Sequence, residues 1–171
     1  MEVGEQGKSF GRLRREYEEM IGIEVVGGCK RDRALAEDVV WFCLEKLLPK
    51  HYSLDITVTL KKTFEDGAWG FCYAGEDDRD LYIDIDHRLY NDLGWEGFVD
   101  TICHEMIHVK QAVRGELKEL FRGGYRRLWK CRDGRYRKYD NMPYKRLPWE
   151  CEAWKGSGPL MKEYKKEVNG S

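Results

Sequence analysis

Between residues 95 and 114 the apolar side chains Phe98, Ile102, Met106, Val109 and Val113 recur at helical spacing, and Thr101, His104, His108 and Gln111 mark a second, polar stripe. A chain with this segment has to bury one face of the helix and leave a histidine-bearing face along a cleft. Within it stands the pentapeptide His104-Glu105-Met106-Ile107-His108. Side chains four residues apart share a helix face, so two imidazoles can converge on one metal ion. Glu105 is turned away by about 100°, outside the ligand pair but within reach of a water held there. A histidine satisfied in a core would share its stripe with apolar neighbours, and these two do not. His104 and His108 are therefore read as metal ligands and Glu105 as a general base.

Such a centre needs a third protein ligand, and the size of the chain limits where it can come from. The 171 residues suffice for one compact domain with a real core and are too few for two. With 42% hydrophobic, 13% aromatic and 36% charged residues, the chain is too aromatic for disorder and too charged for a membrane span. Its longest uncharged apolar run, residues 39–44, is far short of the roughly 20 residues a spanning helix needs. No basic segment followed by an apolar one opens the chain, so no secretory signal is read. Six cysteines without a CxxC pair fit reduced thiols, and a cytoplasmic monomer is expected.

Residues 1–30 are glycine-rich and charged, with one helical-looking piece at 12–21, and are read as a loosely packed lead-in to a single domain over 31–171. From Asp32, a candidate N-cap, helical spacing runs through Leu35, Val39, Phe42, Cys43 and Leu47 until Pro49. Three runs of alternating character follow, at residues 54–60, 69–73 and 81–86, separated by turn signals at 65–67 and 75–79. They predict a small antiparallel sheet of about three strands. Asn91 or Asp92 can cap the histidine helix, and residues 123–148 lose periodicity. Pro148 then opens a last helical run to about residue 168, with a Gly-Ser-Gly-Pro interruption at 156–159 that can break it in two.

The last helix begins Pro148-Trp149-Glu150-Cys151-Glu152-Ala153, and a carboxylate in a first turn can face back across a cleft. An HExxH helix followed by a Glu-x-x-Ala helix resembles the gluzincin zinc metallopeptidases, especially the small single-domain SprT-like and minigluzincin-like forms of bacteria and phages. The matching segments are residues 104–111 and 148–153, and the order of elements extends the likeness over 32–168. The resemblance implies an α+β, zincin-like fold and zinc held by His104, His108 and Glu150, with Ala153 letting the two helices approach. Glu152 is the alternative ligand. It further implies hydrolysis of peptide bonds in a protein or peptide substrate, with Glu105 as base and an edge strand that pairs with extended substrate. Two departures stand out: Trp154 occupies the place where Asp or Asn often follows the alanine, and no terminal CxxC…CxxC ribbon is present.

The oxyanion partner is open among Tyr136, Tyr139, Tyr144 and nearby arginines. Residues 122–146 hold ten basic and two acidic side chains, so the chain's net charge of −1 conceals a segment of +8. Interleaved tyrosines and Trp129 give this stretch the composition of a nucleic-acid groove, and also that of a charged loop beside a cleft. Besides a peptidase, the sequence is compatible with a non-catalytic zinc-binding module or a nucleic-acid-associated protein working through that basic segment.

Overall fold

The computed structural model describes residues 20–50, 53–62, 68–75, 77, 79–120 and 125–170. Residues 12–19 of the helical piece expected at 12–21, the turn at 65–67, His51 and Arg122 lie outside them, and Ile21 opens a strand rather than closing a helix. Among the described residues, three α-helices and two small sheets make a mixed α and β architecture. Strand β1 (Ile21–Gly27) leads through helix α1 (Lys30–Leu47) to β2 (Leu54–Lys61), and β3 (Gly70–Ala74) and β4 (Asp80–Asp86) complete the first sheet. Helix α2 (Leu89–Val113) follows, then the short strands β5 (Leu117–Leu120), β6 (Arg126–Lys130) and β7 (Tyr136–Lys138) of the second sheet, and helix α3 (Pro148–Asn169). Among the described residues no helix is long and apolar enough to cross a membrane.

The first sheet corrects the expected three-stranded antiparallel one. Its order is β1-β2-β4-β3, with β1 parallel to β2, β2 parallel to β4, and only β3 antiparallel, on the edge beside β4. Alternation along a strand reports which face is buried, and it carries no information on which neighbour lies alongside or in which direction. The loose lead-in likewise does not extend over Ile21–Gly27, where Ile21 pairs with Leu54 and Gly27 with Leu60. A strand parallel to β2 requires a crossover, and α1 supplies it. Asp32 is not the N-cap of α1, which is Cys29; it sits in the first turn, bonded to Arg31.

Helix α2 buries Phe98, Val99, Ile102, Met106 and Val109 completely, against β3, β4 and α1. Its first turn and its long histidine-bearing part meet at Gly94, whose φ of 70° is open to glycine and strained for other residues. Nothing crowds that glycine, so conformation and not space selects it. Helix α3 runs unbroken through residues 156–159, with Pro159 inside it. A Cβ on Gly156 would stand 2.6 Å from Ile107 Cδ1, so the glycine marks where α3 is pressed onto α2. Ala153, one turn earlier, is fully buried in the same contact. Phe42 and Trp95 pack on Tyr164 near the far end of α3, and the Tyr164 hydroxyl donates to Asp38 at 2.6 Å.

The unpatterned stretch forms β6 and β7. Their apolar contribution is limited to a few side chains, chiefly Trp129 packing near Trp149, so no alternation is visible. Replacing Gly156 with Leu should lower unfolding free energy in urea by about 1–3 kcal/mol through overpacking against Ile107. Gly158→Ala, where nothing lies within 4 Å, should leave it unchanged or raise it by up to about 1 kcal/mol through helix propensity. Equal losses at both positions would contradict this account of the helix contact.

Candidate metal centre

The polar stripe of α2 and the first turn of α3 meet where Ala153 and Gly156 allow close approach. His104 Nε2 lies 3.3 Å from Glu150 Oε2, and His108 Nε2 lies 3.5 Å from Glu150 Oε1. One donor atom from each of the three residues falls within 4.8 Å of the others, so the group is able to hold a metal ion. All three side chains are buried, Glu150 completely. Burial alone would raise the Glu150 pKa, but the two imidazoles outweigh it and bring the carboxyl down to about 2. His108 moves upward: burial opposes the charged ring, and Glu150 and Glu105 more than offset it. Glu150 Oε1 and His104 Nδ1 are buried without a hydrogen bond. A carboxylate oxygen left in this state is costly, and an ion between the three residues would satisfy it.

Glu152 does not join the group. Its carboxylate binds Lys110 and accepts from Gln111 Nε2 at 2.8 Å. That second bond fixes the imidazole beside it. Gln111 is fully buried, and its amide nitrogen donates to the Trp149 carbonyl at 3.0 Å as well as to Glu152, so its oxygen faces the other way. That oxygen stands 2.8 Å from His108 Nδ1, which must then carry the proton. With Nδ1 as the donor, His108 is able to offer its Nε2 lone pair to an ion shared with His104 and Glu150. The sequence displays Gln111 on the histidine stripe and gives no hint of this role. Trp154, found where an acid or amide was expected, packs the edge of its ring on His104 at 4.7 Å between centroids.

Glu105 points to the sheet side of the group and is buried against β3. A Cβ on Gly70 would lie 2.7 Å from Glu105 Oε1, so this strand position has to be glycine for the carboxylate to fit. Burial pushes the Glu105 pKa up, with the two histidines pulling it back. Of the three tyrosines, Tyr136 donates to the Gly115 carbonyl at 2.5 Å and Tyr139 pairs with Cys131. Tyr144 is largely exposed, and partial desolvation with the charges of Glu150 and Glu105 pushes its pKa up.

Edge strand β3 is the one that borders the centre, but part of its free edge is taken. Arg127 Nη2 donates to the Cys72 carbonyl at 2.9 Å, and the Ala74 amide donates to Glu119 Oε2 at 3.0 Å. Arg127 and Glu119 pair with each other at 2.9 Å, nearly buried, and dock the second sheet onto β3. Pairing of an added strand is thus confined to the Gly70 end. No feature of the sequence distinguishes this arginine from the other basic residues of its segment. The six cysteines are free, with Cys43 and Cys103 buried at 3.8 Å between sulfurs.

Comparison with known proteins finds no matching family model, no matching curated protein and no matching solved structure. Geometry alone therefore argues the site. Gln111→Leu should keep the fold and weaken metal binding by about 10–100-fold in a chelator competition, because His108 loses the acceptor that sets its tautomer. Affinity equal to that of the unsubstituted chain would show that Gln111 has no such role.

Proposed function

We propose that the chain is a zinc-dependent peptidase in which His104, His108 and Glu150 hold the metal and Glu105 is the general base. The observation that carries this reading is the joint placement of the three donors and Glu105. A structural site has no use for a buried carboxylate beside its ligands, and hydrolysis requires one. Two imidazoles and one carboxylate suit zinc, and three protein ligands leave a position open. When bound, zinc supplies a Lewis acid for a carbonyl and lowers the pKa of water.

The chain's own residues do the rest. Glu105, its pKa raised by burial, is poised to take a proton from the attacking water and pass it to the departing amine. Gly70 gives the carboxylate room and leaves a short length of strand edge for an extended substrate. Tyr144, whose hydroxyl responds to the charges of Glu150 and Glu105, is the tyrosine that this reading favours as donor to the carbonyl oxygen as negative charge develops there. The zincin-like reading of the fold rests on the same arrangement: an edge strand beside an HExxH helix, with a glutamate helix across it. A nucleic-acid role for the basic segment has less support, because Trp129 and Tyr139 spend their rings packing on Trp149.

Glu105→Gln and the unsubstituted chain should both retain about one zinc per chain, while hydrolysis of an unstructured protein such as casein falls by about 100-fold or more in the variant. Glu150→Gln should lose the metal and the activity together. Equal hydrolysis by Glu105→Gln, or metal retained undiminished by Glu150→Gln, would contradict the reading.

A further inference from the structure

A cleft of about 660 Å³ opens on the His108 side of the centre. Leu54, Cys72, Val113 and Leu117 form part of an apolar wall, whereas Lys50, Arg79 and Lys118 line it with charge. Most cations that this protein places near a carboxylate are used there: Lys46, Lys61, Arg88, Lys110, Arg127, Arg137 and Lys165 all form ion pairs. The three lining the cleft form none among the described residues, and Lys118 only rests over the Tyr136 ring at 4.6 Å. Glu119, the one acid in the lining among the described residues, is paired with Arg127 and accepts from the Ala74 amide. The result is a mixed polar and apolar cleft whose three lining cations have no ion-pair partner among the described residues, and which is also lined by one histidine of the candidate centre.

The position of these cations along the strand is defined by β3. Gly70 sits on Glu105, and Gly75, beside Arg79 and Lys118 in the cleft lining, is bonded to Asp80 across the turn. At about 3.3 Å per residue that is roughly 16 Å, or four to five extended residues, of which only those at the Gly70 end can pair with the strand because Arg127 and Glu119 hold its edge at Cys72 and Ala74. We propose that the cleft receives a carboxylate of the substrate, lying roughly four residues from the bond that is cut. This inference rests on the peptidase reading and adds the class of substrate. The apolar wall takes the intervening side chains and the cations take the negative charge. A glutamyl or aspartyl side chain and the C-terminus of a short peptide offer the same group.

The test uses the full, zinc-loaded chain carrying Glu105→Gln, so that bound peptide is not consumed. Fluorescently labelled peptides of one neutral sequence are compared by anisotropy: one Glu stepped along the sequence with an amidated end, Gln throughout with a free C-terminus, and Gln throughout with an amidated end. A carboxylate peptide should bind about tenfold more tightly than the neutral one at low salt. Which one does so distinguishes the side chain from the chain terminus. Lys50→Glu combined with Lys118→Glu, both exposed positions, should abolish the preference and leave binding of the neutral peptide in place. Equal binding of all peptides, a preference that survives the charge reversal, or displacement of the acidic peptide by a short single-stranded DNA at lower concentration than by the peptide itself would overturn the proposal. The peptidase reading fails by a different sign: no peptide of the set, nor casein, is cut by the unsubstituted zinc-loaded chain.

Discussion

Helix α3 brings a carboxylate to two histidines of α2 because the residues at the helix contact have almost no side chain. Ala153 is fully buried there, and a Cβ on Gly156 would stand 2.6 Å from the Ile107 Cδ1 methyl, which would have to shift. Glu150 lies one turn before Ala153, so the same contact that packs the two helices also sets the distance from Glu150 to His104 and His108. Packing and ligand geometry are here one constraint, and the registry of α3 on α2 depends on it.

The electrostatics follow from this placement. Two carboxylates, Glu105 and Glu150, are brought into one buried space with two imidazoles. They respond differently. Glu150 touches both rings and is held ionised, down to about 2, whereas Glu105 faces β3 and is moved upward by burial. Neighbouring acids with pKa values driven apart are the pattern of a division of labour, one binding charge and the other handling protons. Gln111 adds the remaining control by fixing where the His108 proton sits. Arg127 and Glu119 fasten the second sheet to β3, which leaves only part of that strand's edge free to pair.

How much of this is legible in the sequence depends on the range of the interaction. The α2 stripe, the HExxH spacing and the Pro148 start of α3 are set by contacts within a few residues and are found where their patterns predict, but α2 begins earlier, at Leu89, with Arg88 and not Asn91 or Asp92 as its N-cap. The choice between Glu150 and Glu152 needs the angle at which α3 crosses α2, which no local pattern encodes. Sheet order is also non-local: Leu81, Ile83 and Ile85 show that β4 is buried and say nothing of its lying between β2 and β3. The glycines at 156 and 158 read as a helix breaker when judged by propensity, and at 156 the lost propensity is exchanged for interhelical contact. Strands β6 and β7 are hidden because basic side chains cover most of their surface.

The central claim is that two imidazoles and one carboxylate form a single metal site. Zinc X-ray absorption on the purified chain measures this directly. The account predicts a first shell of only nitrogen and oxygen at about 2.0–2.2 Å with imidazole scattering beyond it, lost in Glu150→Gln. Scattering from sulfur at about 2.3 Å, or a chain that binds no zinc, would contradict it.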